Sequence, residues 1–355
     1  MPARKKRSRF HVLDTFLVFV PVSIAFYYLG ANPILTFIAT GASIVALSHV
    51  IIESTGIVAQ RVSNTVSALI NATFGNVIEF FIAIFSLRNG LVEMVKASII
   101  GSIVLNVLLL IGLAMFFGGL KFKEQRFNKD SAGLSSTMLI IAVAGLVLPS
   151  MYSMLVSKSA HAMSLSVSAV LGVVYLLSLV YTLVTHKHLF VVEREAPSPQ
   201  YRPWSLRTAL ILLLVAVALG SFESYLLVNT ITLHINDLGL SETFLGLVVI
   251  AFLTNIPENI SAVSFARKNN MTLSLEIGMS SALQIALFVV PVLVLLSSTL
   301  TGQALNLEFS PFALVSLVMT AMIANYISSD GICHWLEGAQ LIAVYVLIAI
   351  AFYFV

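Results

Sequence analysis

Asn71-Ala72-Thr73-Phe74-Gly75-Asn76-Val77-Ile78-Glu79 places one carboxylate inside an apolar segment, Val66 to Leu87, that is long enough to cross a bilayer. Glu258 follows Glu79 by 179 positions, and its surroundings, Thr254-Asn255-Ile256-Pro257-Glu258, repeat the Asn-x-x-Glu core inside a second such segment. In both copies a serine-bearing apolar stretch comes next. An ionisable residue at membrane depth is costly and marks function by default. Two of them in corresponding positions point to one shared site.

The composition agrees. Of 355 residues, 59% are hydrophobic and 10% charged, and the mean hydropathy is +1.00, whereas a soluble domain carries about 25% charged residues. The apolar blocks are about 20 residues long and lack the alternation of outer-membrane strands, so the chain reads as an all-α integral membrane protein. The single cysteine, Cys333, excludes an internal disulfide and a cysteine-based metal cluster. It reads as a small buried residue.

Taken in order, residues 1–30 hold a basic arm (Arg4, Lys5, Lys6, Arg7, Arg9) and an apolar run from Val12 to Leu29. A cleaved signal peptide is the rival reading, but Gly30-Ala31-Asn32-Pro33 makes a poor cleavage site. Residues 31–185 contain five spans: Ile34 to Gln60, Val66 to Leu87, Leu91 to Phe117, Ala132 to Pro149 and Ser159 to Val184. A polar linker, 186–204, is stiffened by Pro197, Pro199 and Pro203. Residues 205–355 hold five more: Leu206 to His234, Glu242 to Phe265, Met271 to Ser298, Pro311 to Ile327 and Trp335 to Val355. This predicts eleven transmembrane helices, one extra plus two five-helix repeats. Because each repeat crosses an odd number of times, the two are inverted, an arrangement that places a substrate site near the midplane.

Lys and Arg fix the orientation. With the N-terminus in the cytoplasm, sixteen of them fall inside, and only Arg88, Lys96 and Lys158 outside. That bias places the linker in the cytoplasm and the C-terminus outside. The short basic arm suits a prokaryotic cell membrane.

The residue types around the two carboxylates are hard oxygen donors. Spacing puts Gly75, Asn76 and Glu79 on one helical face, with Ala72 and Ala83 continuing it. Thr254, Asn255 and Glu258 have the same offsets, with Ser261 and Ala262 one turn on, and Pro257 is expected to disturb the helix and free carbonyls there. The following helices add stripes at i, i+4 and i+8: Ser98, Ser102 and Asn106 in one, Glu276, Ser280 and Gln284 in the other, with Ser281 beside it. Carboxylates, carboxamides, hydroxyls and carbonyls suit Ca²⁺, which takes six to eight oxygens. Zinc or copper(I) would call for softer ligands.

Charge supplies an exchange rule. Two ionised carboxylates in a low dielectric repel and are poorly solvated, and either one divalent cation or two protons restores neutrality. The empty, doubly ionised site is disfavoured from crossing. Glu53, Glu223 and Glu337 are candidates for proton transfer or gating, against the alternative of helix-end carboxylates bonded to a neighbour. His49, His161 and His234 read as hydrogen-bonded or interfacial, and His186 and His188 as solvated. No nucleotide loop, nucleic-acid motif or nucleophile-base set is present, which argues against an enzyme.

These motifs carry a resemblance. Asn71 to Glu79 with Ala97-Ser98-Ile99-Ile100-Gly101-Ser102 resembles the first signature of calcium/proton exchangers, the CAX branch of the cation/calcium exchanger superfamily. Asn255-Ile256-Pro257-Glu258-Asn259 with Ser280-Ser281-Ala282-Leu283-Gln284 resembles the second. Thr185-His186-Lys187-His188-Leu189-Phe190, Asp330-Gly331 and Trp335-Leu336-Glu337-Gly338 extend the similarity over Glu53 to the C-terminus. The resemblance implies an eleven-helix antiporter in which Glu79 and Glu258 bind Ca²⁺ in exchange for protons, helped by Asn106 and Gln284. Sodium/calcium relatives typically carry a further Asp where Asn106 or Gln284 stands, which favours protons here. The linker departs from the strongly acidic one of many members.

The expected activity is therefore Ca²⁺/H⁺ antiport by alternating access within a lipid bilayer. Metal contacts are expected from Glu79, Glu258, Asn76, Asn255, Asn106, Gln284, Ser102 and Ser280, and no cofactor beyond the transported ions. Na⁺/Ca²⁺ exchange, Mn²⁺/H⁺ exchange and a cation channel are the alternatives, and the sequence is silent on oligomeric state.

Overall fold

The computed structural model describes residues 12–62, 64–156, 159–186 and 204–354. The basic arm, His188 and nearly all of the linker lie outside the described residues. The described chain is helical apart from one short β pair.

We number the helices α1 (Val12–Tyr28), α2 (Pro33–Ala59), α3 (Asn64–Phe74), α4 (Val77–Arg88), α5 (Val92–Gly119), α6 (Lys129–Val156) and α7 (His161–Thr185). They continue as α8 (Leu206–Leu238), α9 (Glu242–Ala266), α10 (Met271–Thr301), α11 (Pro311–Ile327) and α12 (Trp335–Tyr353). Eight of these are long and apolar enough to cross a membrane. Caps follow local chemistry: the Asn32 side chain accepts from Ile34 N–H ahead of α2, with Pro33 at the first helical position, and Ser310 does the same for α11 with Pro311.

The span expected as one helix from Val66 to Leu87 is two. It breaks at Gly75-Asn76, where Asn76 leaves helical geometry at φ −117°, ψ 27° and becomes the residue before α4. Gly75, Asn76 and Glu79 therefore do not share one helical face. A Cβ at Gly75 would stand 2.5 Å from the Asn71 carbonyl, so the break needs the bare glycine. The second repeat motif behaves in the opposite way. α9 runs through Pro257 without interruption, so the expected disturbance there does not break the helix. Irregularity in α9 comes earlier, as a π-helical stretch at Leu245–Ile250. Similar stretches lie at Leu105–Leu110 in α5 and Ile285–Val289 in α10. π-turns are rare and cluster at functional sites.

Burial sorts the helices. In α5, 89% of the apolar window is buried and in α10 67%, against 17% in α7 and 28% in α12. The two serine-bearing helices are thus the innermost, and α6, α7 and α12 present apolar side chains such as Leu176, Leu177 and Leu347 outward. Such a surface is stable only against lipid or protein. α2 packs along α8, and α5 along α9 and α12. At the α5–α9 crossing the backbones nearly touch: a Cβ at Gly101 would collide with the Leu247 carbonyl, and one at Gly246 with the Met94 carbonyl. Small residues permit that approach. A two-residue antiparallel pair, Gln125 opposite Cys333 and Arg126 opposite Ile332, ties the loop after α5 to the loop before α12.

Candidate cation site

Glu79 stands in the first turn of α4, where the exposed N–H groups of a helix start favour a negative charge. Its carboxylate meets the Thr254 hydroxyl of α9. Glu258 lies one turn further along α9 and is within electrostatic reach of Glu79. The two repeat motifs therefore come together, one carboxylate from each half.

Two carboxamide bridges flank them. Asn106 Nδ2 donates to Asn255 Oδ1 at 3.0 Å and to Ser281 Oγ at 2.9 Å. Asn76 Nδ2 donates to Gln284 Oε1 at 2.8 Å. Asn255 follows Asn76 by 179 positions and Gln284 follows Asn106 by 178, so each bridge is the repeat counterpart of the other. Asn255 is oriented in turn by donating to the Ala251 carbonyl at 2.8 Å, and Asn259 donates to the Asn255 carbonyl at 2.7 Å.

Several buried oxygens here have no protein partner: Glu258 Oε2, Asn106 Oδ1 and Asn259 Oδ1. Buried acceptors are normally satisfied. Unsatisfied oxygens in this concentration suit a cation or proton. Among the described residues, no group of three or more His, Cys, Asp or Glu gathers to hold a metal, so any cation ligation at this site draws on carboxamides and hydroxyls beside the two carboxylates.

The sequence-expected residues divide. Glu79, Glu258, Asn76, Asn255, Asn106 and Gln284 converge, and Ser102 is buried one turn before Asn106. Ser280 does not join them: it is exposed and donates to the Ile277 carbonyl of its own helix, while Ser281 occupies the buried position. One residue is 100° of helix, which spacing alone left open. Thr254 is the other contributor that the expected ligand set lacked, although its offset from Glu258 matches that of Gly75 from Glu79. Glu223 is fully buried in α8, where its Oε1 accepts from Ser23 of α1 at 2.7 Å. Glu53 is buried in α2. Glu337 sits at the start of α12 in a capping box, accepting from the His334 N–H at 2.8 Å. His161 meets Asn306 at 2.9 Å, and His186 stacks on Tyr181.

The model of the family described as "Sodium/calcium exchanger protein" matches residues 32–184 and 208–354. A Ca²⁺/H⁺ antiporter of Aphanothece halophytica is 36% identical over 358 residues, 95% of this chain and 95% of that protein. One of Synechocystis sp. is 37% identical over 95% of this chain and 96% of its own length. Among solved structures, native YfkE superimposes with a TM-score of 0.83 at 32% identity, covering 97% of this chain and all of that one. The H⁺/Ca²⁺ exchanger CAX shares the fold, with a TM-score of 0.70 over 96% of this chain and 91% of its own, at 15% identity.

Proposed function

The chain belongs to the sodium/calcium exchanger protein family, and on that premise we propose that it is a secondary active antiporter exchanging Ca²⁺ for H⁺, with Glu79 and Glu258 holding either one Ca²⁺ or protons. It is a multi-pass membrane transporter, like the antiporters it resembles. The observation that carries the glutamate assignment is the meeting of one carboxylate from each half beside buried oxygens with no protein partner.

The cation meets hard oxygen only. Glu79 and Glu258 neutralise its charge, and the two carboxamide bridges hold neighbouring oxygens in place. When Ca²⁺ leaves, protons take its place on the carboxylates, so the transported site stays near neutral in either state. Asn106 and Gln284, neutral where a further carboxylate would favour Na⁺, fit this proton-coupled exchange.

Eleven spans, the extra N-terminal helix α1 plus two inverted five-helix repeats, 31–185 and 205–355, accommodate the arrangement, counting α3 and α4 as one broken crossing. The two separately matched segments and the reciprocal bridges support this layout. The basic loops then face the cytoplasm of a prokaryotic cell, with the N-terminus inside and the C-terminus outside.

Ca²⁺ uptake into proteoliposomes, with and without an imposed pH gradient, tests the reading. Uptake driven by the gradient, independent of Na⁺, and lost in Glu79→Gln and Glu258→Gln proteins that remain folded is the expected result. Flux indifferent to pH would point instead to a channel or another counter-ion, and robust exchange by either variant would remove the two-glutamate site.

A further inference from the structure

A cavity of ≈ 400 Å³ lies between α6, α7 and α10, bordered by Glu276, Ser280, Gln284, Ser135, Ser178 and Thr182. Glu276, Ser280 and Gln284 recur every four residues and so form one rail of α10 along its wall. The inner end of the rail is Gln284, already bonded to Asn76 at the central site. Glu276 is eight residues nearer the start of α10, about 12 Å away along the axis. Its Oε1 accepts from Ser131 of α6 at 3.3 Å. Among the described residues that border the cavity, Glu276 carries the only charge.

The loops at this end are strongly basic. Lys121, Lys123, Arg126 and Lys129 precede or open α6, and Arg267 and Lys268 precede α10, outnumbering Glu124, which pairs with Arg126 at 3.4 Å, and Asp130. Their combined field opposes an arriving divalent cation, although salt screens exposed charges beyond about 8–10 Å. The half-buried Glu276 carboxylate, set in the cavity wall among hydroxyls, is screened less than a fully exposed charge and adds a local negative field.

We propose that Glu276 is a transit site for the transported cation, capturing it within this cavity and passing it along the Ser280–Gln284 rail to the Glu79–Glu258 pair. The inference rests on the exchange reading above and adds to it a residue that governs access from one face only. Ser280, exposed and without a buried partner, belongs to this route rather than to the central ligand set.

Two measurements test it. The first is the Ca²⁺ dependence of exchange in proteoliposomes for Glu276→Gln and Glu276→Asp, assayed separately from each face at low and at high ionic strength. Glu276→Gln is expected to raise KM from the basic-loop face roughly three- to tenfold at low salt, with kcat within about twofold, no change from the opposite face, and near-normal behaviour in Glu276→Asp. An unchanged KM, or an equal loss from both faces, overturns the proposal while leaving exchange itself standing, since that is judged by the wild-type protein and Glu79→Gln. The second needs no transport. With Ser135→Cys in a Cys333→Ala background, a cationic thiosulfonate is expected to react faster than an anionic one, and Glu276→Gln to abolish that preference. Equal rates for the two reagents with Glu276 present would show that the cavity has no cation-attracting field and would overturn the proposal.

Discussion

Asn106 donates to Asn255 at 3.0 Å, fastening α5 to α9, the helix that carries Glu258. Its counterpart, Asn76 to Gln284, fastens the opposite pair of helices. Neither half completes a bridge alone, so the candidate cation site is a property of the contact between them.

Replacing Asn106 with Leu removes the donor to both Asn255 and Ser281 and leaves buried oxygens unpartnered. A loss of about 1–3 kcal/mol is expected for such a change, read as a rise of roughly five- to 150-fold in the Ca²⁺ concentration for half-maximal exchange. Gln284→Leu should act in the same direction. If only one of the two weakens Ca²⁺ binding, the bridges are not functional equivalents.

The near-contact of α5 and α9 predicts a contrast between two glycines. Gly101→Leu forces apart backbones that meet at Leu247, and is expected to cost well over the ~1–3 kcal/mol of ordinary core overpacking. Gly133→Ala has open space around it in α6 and should stabilise by about 0.5–1 kcal/mol through the lower chain entropy of alanine. Thermal unfolding in detergent, followed by tryptophan fluorescence or size exclusion, checks both.

Glu337 separates capping from gating. In the capping box its loss should cost about 0.5–2 kcal/mol of stability, with Glu337→Gln keeping most exchange activity. Complete loss of proton coupling in a folded Glu337→Gln protein would restore it to the transport path.

The Cys333 thiol, buried beside Glu337 and Asp330, is pushed up to about 12 by burial and by those two charges. The thiolate is the reactive form. Alkylation of the native protein at pH 8 should therefore be at least ~100-fold slower than after denaturation. The sign for stability follows: the neutral buried thiol is favoured, so its contribution is intact below the ordinary thiol range and declines as pH climbs toward 12.

Much of the layout was legible because length and polarity govern it. Every expected span except Val66 to Leu87, which is two helices, holds one helix, and most lie within a few residues of the expected bounds, α6 running seven residues past Pro149. The repeat offset also pairs Asn76 with Asn255 and Asn106 with Gln284. Local backbone geometry was less so. Gly75-Asn76 breaks a helix although neither residue forbids one, whereas Pro257, the stronger breaker in isolation, is absorbed within α9. Tertiary packing decides both. The π-turns, which rotate every side chain that follows them, leave no reliable trace in residue spacing. Ser280 and Ser281 differ for a simpler reason: both lie in regular helix ahead of the π-stretch at Ile285–Val289, where one position is a 100° rotation. Glu337 was read for its charge, while its place three residues after His334 gave it a capping role.

The reciprocal bridges also set a timetable. Thr254, Asn255 and Glu258 are made 175 or more positions after Glu79, which at ordinary synthesis rates of about 5–20 residues per second is an interval of roughly 10–40 s. Throughout it the first half is already emerging from the ribosome with a carboxylate whose hydroxyl and amide companions do not yet exist. Helices of the second half, α9 and α10, are therefore the ones that finish the first, and a chain truncated after the linker would carry half of the candidate site, which nothing on its own side can close.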